Sequence, residues 1–122
     1  MEIYKTSMNK KELELLSFFL PEGTLEWFDV VGGTKTKTQI TVILEEKNIP
    51  PITEEIKGKK IKSKGFKNIS VNDFPIRGRK VTLIFRRRYW QVEGESELLK
   101  RDILLCASGT QLEKEFADFL KE

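Results

Sequence analysis

Lys80-Val-Thr-Leu-Ile-Phe-Arg-Arg-Arg-Tyr-Trp-Gln-Val92 is the stretch on which the fold turns. Its alternation predicts the longest strand of the chain, with Val81, Leu83 and Phe85 on one side. Thr82, Ile84, Arg86 and Arg88 fall on the other side, and Arg87 points away from its two arginine neighbours. Immediately upstream, Pro75-Ile-Arg-Gly-Arg79 reads as a turn in which Gly78 supplies the special backbone angles. Before it, Lys59 to Phe66 reads as a short edge-like strand whose lysines discourage edge pairing, and Asn68 to Phe74 as loop or short strand. On the downstream side, Gly94 suggests a hairpin into a second strand, Leu98 to Ala107, and Gly109 ends the sheet.

Further out, Asp29-Val30-Val31 meets Gly32-Gly33, which reads as a turn, and Thr38 to Glu45 is a strand rich in β-branched residues. Asn48-Ile-Pro-Pro-Ile52 breaks the sheet, because proline cannot donate to a ladder, so the internal joint of the single domain 1–122 falls near 48–53. The first helix begins at Asn9, a capping side chain supported by Glu12, and runs through Leu13, Leu16, Phe19 and Leu20 to Pro21. Thr24 to Phe28 fits either a helical turn or the lead-in to a strand. The last helix opens on the capping box Thr110-Gln-Leu-Glu113 and carries Leu112, Phe116, Phe119 and Leu120 on one face. The expected class is α+β: an antiparallel sheet of hairpins flanked by an N-terminal and a C-terminal helix.

Charge is placed unevenly. From Lys57 to Trp90 there are twelve Lys or Arg and one acid, Asp73, a balance of +11. The remaining ten cations and eighteen acids balance at −8, so a net charge of +3 conceals a dipolar molecule. A basic window that also holds Phe66, Phe74, Phe85, Tyr89 and Trp90 is built to fold, and a polyanion is its first expected partner.

Composition excludes several classes. At 39% hydrophobic and 34% charged, 122 residues suffice for one core. The apolar stretches are too short to span a bilayer, and Met-Glu-Ile-Tyr-Lys lacks the apolar segment of a signal peptide. One cysteine forms no internal disulfide, which fits a reducing cytoplasm. With no His and one Cys there is no His/Cys metal site within the chain and no Ser-His or Cys-His nucleophile, so neither cofactor nor catalysis is expected. Cys106 reads as a small core residue, and Glu45-Glu46 and Glu54-Glu55 are adjacent pairs that diverge in regular structure. Asp73 reads as the neutraliser of a nearby cation.

Three basic clusters carry the binding chemistry. Arg86 and Arg88 offer bidentate phosphate contacts while Tyr89 or Trp90 stacks on a base. The competing reading is a solvated strand end with Trp90 anchoring the core and the arginines satisfying local acids. Lys60, Lys62 and Lys64 line one strand face as a phosphate track, or merely protect an edge. Arg77, Arg79 and Lys80 flank Gly78 in a basic turn that can approach a nucleic-acid backbone closely.

Several strings resemble the N-terminal region protein of bacterial insertion-sequence transposases of the DDE type. They are Leu20-Pro-Glu-Gly-Thr-Leu-Glu-Trp-Phe28, Leu44-Glu-Glu-Lys-Asn-Ile-Pro-Pro51, Lys62-Ser-Lys-Gly-Phe66 and Asp73-Phe-Pro-Ile-Arg-Gly-Arg-Lys-Val81, with Arg86-Arg-Arg-Tyr-Trp90, Gly109-Thr110 and Phe116-Ala-Asp-Phe-Leu120. The resemblance implies a role in transposition, binding or positioning transposon-end DNA for a separately encoded catalytic region whose DDE acids lie downstream. It also implies a zinc ribbon rebuilt as a metal-free hairpin, with Val81, Leu83, Phe85, Ile103 and Leu105 packing in place of the metal.

The expected function is therefore a non-catalytic, DNA-binding module with Arg77, Arg79, Lys80, Arg86 and Arg88 on phosphates and Lys60, Lys62 and Lys64 extending the track. Charge reversal at Arg86 and Arg88 is expected to weaken DNA binding more than loss of Lys35 and Lys37. The alternative is a protein-interaction module whose basic face docks an acidic partner, the catalytic region or a second copy of itself. A remnant of a degraded element with no present activity is the third reading.

Overall fold

A computed structural model describes residues 2–4, 9–105 and 110–122, with the side chains of residues 2–4, 110 and 111 left aside. The chain runs β1 (Glu2–Tyr4), α1 (Lys10–Ser17), α2 (Thr24–Trp27), β2 (Phe28–Lys35), β3 (Gln39–Glu46), β4 (Ile61–Ile76), β5 (Arg79–Val92), β6 (Leu98–Lys100) and α3 (Thr110–Lys121). It is an α+β fold built on one sheet in the order β1-β2-β3-β5-β4, with β6 pairing β5 beyond the end of β3.

Residues 80–92 form β5, an interior strand of this sheet with partners on both sides. Val81, Leu83 and Phe85 are buried under the helices, while Thr82, Ile84, Arg86 and Arg88 line the opposite face. Its hairpin with β4 closes on a two-residue turn, Arg77 (φ 49°) and Gly78 (φ 77°), between the paired Ile76 and Arg79. Positive φ at both turn residues matches the right-handed twist of the strands, and it explains why a glycine is needed at one of them. The lysine-rich strand is longer than its sequence suggests. Residues 61–76 form one strand at the outer edge of the sheet, because pairing to β5 organises even the polar stretch 67–74.

Other expectations change as well. The sheet is not wholly antiparallel, since β3 and β5 pair in parallel, Ile40 opposite Val81 and Leu44 opposite Phe85. This arrangement places the two most apolar strands side by side in the interior and leaves charged β4 at the edge, where lysines oppose further pairing. Gly32-Gly33 is not a turn either. Both lie within β2, which carries a bulge at Val31, and the turn comes later, at 36–38, where Thr36 N–H donates to Gln39 O (2.8 Å). Gly33 sits tightly against β3: a Cβ there would stand 3.0 Å from the Thr41 carbonyl oxygen, closer than ordinary van der Waals contact.

The core lies on one face of the sheet. Leu20, Phe28, Leu44, Ile69, Val71, Val81, Leu83 and Phe85 meet Ile103, Leu105, Leu112, Phe116 and Phe119. Phe85 packs edge-on against Phe28 (5.1 Å between centroids) and Phe116 (5.2 Å). In α1 the Asn9 side chain accepts the Glu12 N–H (2.8 Å), the expected cap, but the helix ends at Ser17, short of Pro21, and Phe19 beyond it is 64% exposed. Thr24–Trp27 is a single helical turn. In α3, Leu112, Phe116 and Phe119 face the core. Lys100 Nζ donates to the carbonyls of Phe119 (2.9 Å) and Glu122 (2.7 Å), placing a cation at the negative end of the helix.

A second buried group lies outside that cluster: Ile56, Trp90 and Val92. Trp90 and Val92 occupy the β5 register that faces away from Phe85, and the segment between β3 and β4 reaches them: Asn48 Oδ1 accepts the Trp90 indole N–H (2.8 Å). The second strand expected over 98–107 is paired only over 98–100. Beyond it Ile103 and Leu105 turn inward without a ladder, and Cys106 lies outside the described residues. Among the described residues no helix is long and apolar enough to cross a membrane.

Candidate nucleic-acid interface

The three arginines of β5 separate as alternation requires, but none is a free phosphate ligand. Arg86 Nη1 lies 2.7 Å from Glu45 Oε1, and Arg88 Nη2 lies 3.8 Å from Glu45 Oε2. Arg88 also donates to the Glu46 carbonyl (3.0 Å) and to Ser63 Oγ (2.5 Å). Both guanidinium groups stack on Phe66, at 4.4 and 4.5 Å from its centroid. The side chain of Arg88 is 13% exposed and that of Arg86 36%. Glu45 stands in register opposite Arg86 because β3 and β5 run parallel, so the pair is a product of the topology.

Arg87 is on the core face and is fully buried. Its Nε donates to Glu46 Oε1 (2.7 Å), its Nη2 to the Arg101 carbonyl (2.5 Å), and its guanidinium lies 4.5 and 4.6 Å from the ring centres of Phe116 and Phe119. Glu46 Oε1 accepts the Arg88 backbone N–H as well (3.1 Å), while Glu46 Oε2 and Arg87 Nη1 have no partner among the described residues. Burial pushes the Glu46 carboxyl up from the usual carboxylate range, and the attraction of Arg87 offsets this only in part. Burial lowers Arg87, with Glu46 opposing.

Trp90 is the clearest correction to the expected site. It is 0% exposed, with its indole N–H committed to Asn48, so its ring offers no face to a base. It is the anchor of the alternative reading. The comb of Lys60, Lys62 and Lys64 is also broken. A bulge between Ser63 and Gly65 makes Lys64 the extra residue, so Lys62 stands opposite Gln91 while Phe66 stands opposite Arg88, on the other face. All three lysines are exposed. They lie about 40–55 Å along the hairpin from its tip, at about 3.3 Å per residue. Nearby cations are balanced, Lys59 by Glu95 (3.1 Å) and Lys67 by Glu122.

The tip is different. The parallel pairing brings the β2–β3 turn beside the β4–β5 turn: Lys80 N–H donates to the Thr38 carbonyl (2.9 Å), Arg79 Nε to the Thr36 carbonyl (2.9 Å), and Gln39 Nε2 to Thr82 Oγ1 (3.0 Å). Lys37, Arg77, Arg79 and Lys80 are thereby gathered at one end of the sheet, three of them exposed and Arg79 half-buried. None of the ion pairs among the described residues includes any of the four. Asp73, expected to neutralise a cation, instead accepts the Phe74 backbone N–H (2.8 Å). Lys35 is paired with Glu2 in the β1–β2 backbone register.

Sequence reasoning found Arg77, Arg79 and Lys80 but left out Lys37, which joins them through a strand pairing no local pattern announces. It also left out Phe74, 71% exposed beside the tip. No family model, curated protein or solved structure matches the chain.

Proposed function

We propose that the chain is a non-catalytic module that binds nucleic acid by its phosphates through the tip formed by Lys37, Arg77, Arg79 and Lys80. The observation that carries this reading is four clustered cations without a carboxylate partner among the described residues, on a sheet whose other arginines are committed internally. Cations that already neutralise an acid gain little from a phosphate, whereas unpaired ones release its counterions in full. The weighting of the arginines is therefore reversed, with Lys37 and Arg77 contributing more than Arg86 and Arg88. Transposon-end DNA, positioned for a separate DDE catalytic region, is the setting implied by the resembling strings, and it rests on them alone.

The test is fluorescence anisotropy on a short duplex between 50 and 200 mM salt. Four phosphate contacts give a slope of log K against log salt of roughly −3.6, and the triple variant Lys37→Ala, Arg77→Ala, Lys80→Ala makes it shallower by roughly 2.7. Absent binding of duplex and single strand alike at low salt, or an unchanged slope in the triple variant, overturns the reading.

One observation favours a protein-interaction reading of another kind, through an apolar edge and not through the basic face. Leu15, Phe18 and Phe19, at 57%, 70% and 64% exposure, form an apolar edge on and just after α1. Sedimentation separates the two readings, since an apolar complex persists at high salt and phosphate binding does not.

A further inference from the structure

We infer that Phe74 is a stacking platform for an unpaired nucleobase, so that the tip takes single-stranded nucleic acid in preference to an intact duplex. The inference rests on the phosphate-binding reading of the tip and adds to it the substrate class. Phe74 is 71% exposed, on a strand position that any polar residue would fill without leaving an aromatic ring in water. Burying a phenylalanine side chain is worth about 1.5–3 kcal/mol, and the fold forgoes that gain here.

The backbone that carries the ring is also constrained. Phe74 and Pro75 together stand opposite Lys80, because the ladder shifts register between Asp73 and Ile76. Pro75 restricts the backbone of Phe74 to extended conformations, and the Asp73 carboxylate fixes its N–H at 2.8 Å. Lys80 lies across the ladder, and Arg77 and Arg79 follow within five residues along the same hairpin.

An aromatic face beside a row of cations is the arrangement that binds single strands. The cations follow the backbone while the ring stacks on a base, which contributes about 1–3 kcal/mol per base and is indifferent to sequence. Inside a duplex both faces of each base are already stacked, so the ring gains nothing there without kinking the helix. An anionic membrane would use the same charges, but a single exposed ring offers little apolar area for insertion.

Anisotropy on the full chain tests this, with a twelve-nucleotide oligothymidylate and a blunt duplex of the same length as probes. Phe74→Ala should weaken single-strand binding about 5- to 150-fold, the stacking contribution converted at tenfold per 1.4 kcal/mol. Duplex affinity and its salt slope should stay at wild-type values, and Phe74→Trp should retain single-strand binding. If Phe74→Ala keeps wild-type thermal stability and still binds oligothymidylate normally, the stacking role is wrong while the phosphate reading stands. If neither probe binds the wild-type protein, both fall. A Phe74→Ala defect on phosphatidylserine vesicles, with oligothymidylate binding unchanged, reassigns the ring to lipid and overturns the inference.

Discussion

Arg87→Ala should cost about 3–5 kcal/mol of folding stability, because it leaves the Glu46 carboxylate buried and uncompensated. Against a total of roughly 5–15 kcal/mol for a domain, that loss consumes much of the margin. The guanidinium joins three elements at once: β3 through Glu46, the chain after β6 through the Arg101 carbonyl, and α3 through Phe116 and Phe119. Arg87→Lys should be nearly as damaging, since one ammonium cannot reach the carboxylate and the carbonyl while lying flat on two rings. Replacing both Glu46 and Arg87 by Met removes the buried charges together and should cost far less than the two single losses added. Urea denaturation of Arg87→Ala, Glu46→Met, Arg87→Met and the double variant tests this. A single-variant cost under about 1 kcal/mol, or a double variant equal to the sum, would show that the pair is not coupled as described.

Trp90→Ala should be of similar size, about 3–5 kcal/mol, the range for emptying a large aromatic site. The cavity would open beneath the segment between β3 and β4, which contacts Trp90 through Asn48. Trp90→Phe is the discriminating variant. It keeps most of the apolar volume and removes the N–H bond to Asn48, so it should cost only about 1 kcal/mol. Its nucleic-acid affinity should equal that of the wild type. A folded Trp90→Phe protein that has lost binding would return this residue to the interface.

The legible parts of the fold were those written in local periodicity. Asn9 caps its helix, the odd positions from Val81 to Phe85 face the core, and Leu112, Phe116 and Phe119 share a helical face, because each depends on neighbours within a few residues. The parts that escaped depend on partners distant in sequence. Gly32-Gly33 looks like a turn until Thr41 is known to lie alongside it. The polar residues 67–74 look like a loop until β5 supplies their ladder. The candidate site follows the same division. A basic tip was visible at Arg77, Arg79 and Lys80, but the neutralisation of Arg86 and Arg88 by Glu45 required the parallel register. Trp90 left the site for the same reason, since only the folded position of Asn48 reveals where its N–H goes.

The parallel pairing also sets an order in time. The β4–β5 hairpin closes through a two-residue turn, whereas Glu45 and Arg86 meet across 41 residues of chain. Closing the longer loop must be met by chain entropy before any β3–β5 contact repays it, so docking of β3 onto the preformed hairpin is the slow event. Strain introduced by Gly78→Ala should then slow folding, while Val42→Ala in β3 should mainly hasten unfolding, a contrast that stopped-flow chevrons of the two variants would resolve. Until β3 arrives, β5, an interior strand of the finished sheet, is itself an edge, and the vulnerability of this protein to misassociation is concentrated in that interval.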